Sequence, residues 1–260
     1  MSSLHVPRTR SKWMPNERLR ASLLEHGLTP MALGDILRVD HKTVERWIAG
    51  RIPYRRHRYA VAAELGVDEV YLWPDALSKD QVTAASEGEL LAIYAHRTDI
   101  PHATMERLFS KAERDIGVLV YAGLFLSEDA ALKKIIIERA KSGVRVRFLL
   151  GDPASDQVAT RGIEEGSDDA MPAKIRNAIT QFRKLRAIEG VEFRLHQTTL
   201  YNSIYIGDDH LIVNTHLYGL PAAEAPAWHL KKLAGGEIAA AYLESFERVW
   251  ENGIPIRLET

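Results

Sequence analysis

The sequence predicts a multidomain chain: an all-α N-terminal domain followed by a larger α/β domain. Three observations carry this. The chain has 260 residues, more than the roughly 150 of an average domain. Residues 1–58 hold 12 Lys or Arg against 5 acids, a balance of +7 that leaves −8 for the rest. The apolar spacing is helical up to about residue 73 and changes to strand–helix–strand order beyond residue 90. With 46% hydrophobic and 27% charged residues, the composition is globular. The absence of cysteine excludes a disulfide framework, a thiolate zinc site and a cysteine nucleophile. No apolar run approaches the roughly 20 residues of a membrane span, and Met1–Lys12 has no signal-peptide core. A cytoplasmic protein without a membrane partner is expected.

Residues 1–14 read as a basic arm carrying Arg8, Arg10 and Lys12, and residues 15–74 as the helical domain. Leu19, Leu23 and Leu24 recur at helical spacing before Gly27, a good helix stop. Thr29 can cap a second helix with Pro30 at its first position; its apolar residues are Met31, Leu33, Ile36 and Leu37. Asp40 is the cap candidate of a third helix, His41 to Ala49, with Val44, Trp47 and Ile48 inward. A fourth helix, near Arg56 to Leu65, turns Tyr59, Ala60, Ala63 and Leu65 inward. Val67 to Trp73 closes the unit before Pro74.

Two short helices joined by a tight turn, the second with a polar outer face, read as a helix-turn-helix. An α-helix fits the DNA major groove, where Arg can pair with guanine and Thr can touch thymine. The stretch from Gly27 to Trp73 resembles the DNA-binding domain of the XRE family, the phage-repressor type. The segment carrying the resemblance is Val39-Asp40-His41-Lys42-Thr43-Val44-Glu45-Arg46-Trp47-Ile48-Ala49-Gly50-Arg51-Ile52-Pro53. Many members have Gln where this chain has Pro30, so one phosphate contact is missing. The resemblance implies base reading by Lys42, Thr43 and Arg46, with His41 and Glu45 contributing. Arg51, Arg55, Arg56 and Arg58, with Thr29 at the helix start, are expected to hold the backbone of double-stranded DNA. Such proteins read two half-sites, so a homodimer and a nucleoid location are expected.

Residues 75–89 are polar and read as a linker to a domain over 90–260. There, helices near Pro101–Arg114 and Glu128–Lys141 alternate with strands Ile116–Tyr121 and Val144–Leu150, the order of a parallel pair with a crossover. After Gly151-Asp152-Pro153 and an acidic loop around 164–169 come a helix near Ala173–Ile188 and three strands, Val191–His196, Leu200–Gly207 and His210–Thr215. Asp208-Asp209 reads as a turn. Trp228, His229, Lys231 and Lys232 read as a loop before a last helix, Glu237–Trp250.

This order resembles one half of a phospholipase D-like unit. Ala112 to Ile116, Ala140 to Leu150 and Leu200 to Thr215 carry the likeness. That family's pattern is His-x-Lys-x4-Asp. Aligned on Asp208, Tyr201 stands for the His and Ser203 for the Lys, and neither a phenol nor a hydroxyl replaces those groups at neutral pH. The resemblance therefore implies a retained fold without the phosphodiesterase chemistry, and a second copy to complete the unit. An archaeal repressor family whose sugar sensor resembles phospholipase D is a precedent.

Ligands of such folds gather at the carboxyl ends of strands. The residues there are Tyr121, Asp152, His196, Tyr201, Asn202, Ser203, Asn214, Thr215, His216 and Tyr218. These neutral hydrogen-bonding groups suit a small polar effector. No motif implies a metal or cofactor, and no catalytic residue is assigned. Sequence-specific transcription regulation is the favoured reading; a DNA-tethered phosphodiesterase or nuclease and a ligand-free scaffold are its alternatives.

Overall fold

The computed structural model describes residues 14–76 and 79–256, so Arg8, Arg10 and Lys12 of the basic arm lie outside the described residues. The chain divides into two compact units, Met1–Thr83 and Ala84–Thr260.

In the first unit α1 (Glu17–Glu25), α2 (Pro30–Leu37), α3 (His41–Ile48), α4 (Arg55–Glu64) and α5 (Glu69–Leu72) follow one another, and α6 (Lys79–Glu89) crosses the division. The first three starts are set by side-chain caps. Asn16, Thr29 and Asp40 accept hydrogen bonds from the N–H groups of Leu19, Ala32 and Lys42, satisfying donors that a helix cannot pair internally. Arg38 ends α2 in the left-handed region, with φ 53°. At Gly34 a Cβ would lie 2.9 Å from the Val39 carbonyl oxygen. Glycine there lets α3 leave directly from the turn.

The core of this unit is Leu19, Leu23, Leu33, Val44, Trp47, Val61, Leu65 and Leu72. Helix phase corrects several expectations. Leu24 lies 100° round from Leu23 and is 75% exposed; Met31 and Ile36 are exposed as well. On α4 the buried residues are Val61 and Ala62, while Tyr59 turns outward and receives a hydrogen bond from Arg55, 3.1 Å.

The second unit adds β1 (Leu90–Tyr94), α7 (His102–Ser110), β2 (Asp115–Val120), α8 (Leu124–Glu128), α9 (Ala130–Lys141), β3 (Arg145–Gly151), α10 (Asp156–Glu164), α11 (Ala170–Gln181), α12 (Arg183–Arg186), β4 (Val191–His196), β5 (Asn202–Gly207), β6 (His210–Thr215), β7 (Ala227–Lys231), α13 (Ile238–Glu251) and β8 (Ile254–Pro255). One eight-stranded mixed sheet runs β1-β7-β6-β5-β2-β3-β4-β8. β2, β3 and β4 are parallel, as the strand–helix–strand order predicts. β5, β6, β7 and β1 continue antiparallel. Both faces are covered, which explains why β2 and β3 are apolar almost throughout. Val118, Val120 and Phe148 pack with Leu108, Phe109 and Ile136 on one face; Leu119, Leu149 and Val213 pack with Val158, Ile175 and Phe246 on the other.

Two stretches differ from their sequence reading. The polar stretch 75–89 is helical over α6. Its last residue, Glu89, is fully buried and accepts N–H bonds from Leu233, before α13, and from Ile238 and Ala239 at its start. The stretch Trp228–Lys231 is part of β7 rather than a loop, because its backbone completes the ladder between β6 and β1.

Arg147, only 2% exposed, fixes α13 to the sheet. Its guanidinium reaches both Glu247 oxygens at 2.6 and 2.7 Å and Asp115 at 2.6 Å. Gly207 sets the approach of α7 to β5: a Cβ there would lie 2.0 Å from the Leu108 carbonyl oxygen. Gly207→Ala is expected to cost about 2–4 kcal/mol, because backbone must move. Urea unfolding measures it, and an unchanged midpoint contradicts this packing.

Candidate functional site

Each unit carries one candidate site. In the first, burial of Val44 and Trp47 sets the outer face of α3. Lys42, Glu45 and Arg46 are exposed, and His41 and Thr43 are half-buried. A groove of about 520 Å³ runs beside this helix, and Thr43, Arg46, Arg51, Tyr54 and Arg56 line it. Trp47 forms part of its wall yet is only 3% exposed, packed on the His57 ring at 5.6 Å. Its role is core. Tyr54 is exposed at the groove.

Not all the assigned cations are available. Arg51, Arg55 and Arg56 are exposed. Arg58 is not, which corrects its assignment to the DNA backbone. Its guanidinium pairs with buried Glu69 and donates to the Pro53 carbonyl at 3.0 Å. A cation committed to a buried carboxylate is unavailable to phosphate. Thr29 uses its hydroxyl to cap α2.

In the second unit the carboxyl end of β2 opens onto a cavity of about 190 Å³. Three of the assigned residues, Tyr121, Ser203 and His216, line it. His216 Nδ1 bonds the Leu200 carbonyl at 3.2 Å, so it carries the proton. Nε2 then accepts from the Ser203 hydroxyl at 2.9 Å. The Tyr121 ring stacks on His216 at 5.7 Å, and its phenol oxygen accepts from the Leu200 N–H at 2.9 Å. His196 lies behind Tyr121, its Nε2 donating to the Val120 carbonyl and its Nδ1 accepting from the Thr198 N–H. Both nitrogens are satisfied within the fold, the arrangement of a structural histidine. Burial lowers His196 and His216 to about 4 each, so both rings are neutral at pH 7.

The other assigned residues do not line the cavity. Tyr201 and Tyr218 stand on the surface, 79% and 85% exposed. Asp152 binds the Ala154 N–H and the Gln197 side chain. Thr215 donates to the Pro226 carbonyl. Asn214 is fully buried beside Ser203 and donates to backbone, and Asn202 is its strand's first residue. Strand alternation turns Asn202 and its cross-strand partner Thr215 to the face opposite Ser203 and Tyr205, whereas Asn214, paired with Ser203, is held by its backbone bonds. Arg97, Lys174, Tyr205 and Glu165, the last held by Arg161 at 2.7 Å, are the other polar side chains of the lining and were not assigned from sequence. Arg97 lies over the Phe125 ring at 4.2 Å. Nothing in the spacing around Arg97 or Lys174 marks them, since each comes from an element far from β5 in the chain.

No protein-family model and no curated protein sequence matches this chain. Solved structures with similarity include TrmBL2, an archaeal chromatin protein with a novel mode of DNA binding, at 14% identity and TM-score 0.42 over 77% of this chain. This chain spans 63% of TrmBL2's length. The phospholipase D family member Nuc from Salmonella typhimurium matches at 14% identity and TM-score 0.39, over 64% of this chain and 99% of its own. NucT from Helicobacter pylori matches at 9% identity and TM-score 0.40, over 64% and 98%. Among the described residues no helix is long and apolar enough to cross a membrane, and no group of three or more His, Asp or Glu could hold a metal.

The lowered histidine values fix a pH response. An unfolded histidine titrates near 6.5. Between that value and about 4, the unfolded chain binds protons that the folded unit refuses. Stability is therefore retained at neutral pH and falls with acidification, by about 2 kcal/mol per histidine between about pH 7 and pH 5. Nitrogen NMR of the imidazoles should show both rings neutral at about pH 5, and a ring charging near its ordinary value contradicts the burial.

Proposed function

We propose that this chain is a sequence-specific, DNA-binding transcription regulator, probing the major groove with α3 of a helix-turn-helix. The observation that carries the reading is the composition of the α3 face and its groove. Lys42 and Arg46 are exposed, with Arg51 and Arg56 beside them, on a unit whose residues 1–58 carry +7. Cations in such an array release counterions from DNA, while Lys42, Thr43 and Arg46 reach base edges. A dimer matches two half-sites, and the regulator would act at the nucleoid.

The second unit, in this reading, is a degenerate phospholipase D-like body that dimerises and binds a small polar effector. The Tyr121–Ser203–His216 cavity supports it, with neutral hydrogen-bonding groups on its floor and Arg97 and Lys174 for one acidic group of the ligand. It is not an enzyme of the histidine-nucleophile type: Tyr201 stands at the nucleophile's position and Ser203 at the phosphate-binding lysine's.

Arg46→Ala is expected to lose about 1–3 kcal/mol of preference at one base step. Arg55→Ala should weaken binding to all sequences and flatten the salt dependence by about one unit. Anisotropy titrations of each variant on randomised and selected duplexes test both. An unchanged base preference in Arg46→Ala overturns the assignment of α3.

A further inference from the structure

The opposite end of β5 holds a second cavity, unrelated to the Tyr121–Ser203–His216 site. Ser203 and Gly207 are four residues apart on that strand, roughly 13 Å. The second cavity measures about 460 Å³ and is formed by the end of α7, the connection into β2, the β5–β6 turn and β7. Its cationic and imidazole lining is Arg107, Lys111, Arg114, His210, His229 and Lys231.

We propose that this cavity binds a multiply charged oxyanion of the phosphate class. The charges of the lining are only partly paired. Two of the three lining carboxylates are occupied. Asp208 accepts the N–H groups of Glu113, Arg114 and Asp115 at 2.7, 2.9 and 2.9 Å, and Asp209 holds Arg114 at 3.0 Å. Glu113 is the remaining carboxylate of the lining. The Arg107 guanidinium meets the Thr104 hydroxyl at 3.3 Å. Among the described residues Arg107, Lys111 and Lys231 have no carboxylate partner. Three unpaired cations share the concavity with one unpaired carboxylate, Glu113, and the excess of positive charge favours the entry of an anion.

A histidine pair also lines the cavity. His210 Nδ1 and His229 Nε2 lie 3.2 Å apart across neighbouring strands. One ring donates to the other, so at most one of the facing nitrogens carries a proton. Burial lowers both below their ordinary value; Lys231 adds to this for His210, and His210 and Arg107 add to it for His229, while Asp209 opposes it for His210. An oxyanion in the cavity offsets the repulsion from these cations, so the pair takes up a proton as the ligand binds. Affinity must then rise as the pH falls through the range below an ordinary histidine's. The missing Cβ of Gly207 lets the end of α7 carry Arg107 and Lys111 to this rim.

Calorimetry of the full chain with sulfate tests the proposal, because the charge of sulfate is constant across the range used. Saturable binding is expected, about tenfold tighter near pH 5.5 than near pH 8, with proton uptake. Lys111→Ala and Lys231→Ala, both at exposed positions, should each weaken it about threefold. His229→Gln should remove most of the pH dependence. Arg97→Ala, in the other cavity, should leave the pH-dependent, lysine-sensitive binding in place, whatever it does to anion binding in its own cavity. Inorganic pyrophosphate at neutral pH should bind more tightly than sulfate and displace it. Absence of saturable binding near pH 5.5, or binding indifferent to both lysine substitutions, overturns the proposal. So does binding that Arg97→Ala weakens as much as the lysine variants do.

Discussion

The outward face of α3 is fixed by what its inward face buries. Val44 is fully buried and Trp47 nearly so, and rotating the helix to present different residues would expose both, at roughly 1.5–3 kcal/mol for each large apolar side chain. Asp40 fixes where the helix begins, Gly34 lets it leave the turn at once, and Arg58, paired with Glu69, ties α4 to α5. Lys42, Thr43 and Arg46 thus occupy a rigid helix rather than a loop. A recognition surface needs that rigidity, since a bidentate contact to a base tolerates little error in position.

The second unit rests on a different constraint. Its central strands are parallel and covered on both faces, so side chains of β2 and β3 have no access to water except at strand ends. Polar chemistry is therefore confined to the two ends of the sheet. At one end Ser203 and His216 satisfy each other behind Arg97 and Lys174. At the other, Asp208 gathers three backbone N–H groups, and among the described residues Arg107, Lys111 and Lys231 have no carboxylate partner. The buried Arg147 is the exception within the sheet. It is tolerated because Asp115 and Glu247 both meet it and two aromatic rings, Phe246 and Trp250, flank it.

Much of this was legible in the sequence where a local rule decides the outcome. The caps Thr29 and Asp40, the stop at Gly27, the parallel β2–β3 pair and the turn at Asp208-Asp209 follow from neighbouring residues. What escaped depends on long-range partners. Arg58 looks like a phosphate contact until Glu69, eleven positions on, is placed against it. The stretch 75–89 reads as a polar linker because its anchoring groups, the Glu89 carboxylate and the Ser86 hydroxyl, find their donors about 150 residues away. Of the residues assigned to the second unit's pocket, Tyr121, Ser203 and His216 converge. Tyr201 and Tyr218 do not, because aromatic character alone does not say which way a residue at a strand end will turn.

The most direct test of the central claim is selection of genomic DNA fragments by the purified full chain at near-physiological salt. A DNA-reading α3 on a dimer requires one sharp pseudo-palindrome, with half-sites about one helical turn, roughly 34 Å, apart or a multiple of it. Recovery that is blind to sequence and collapses with added salt would contradict base reading by Lys42, Thr43 and Arg46, leaving the first unit as an electrostatic tether.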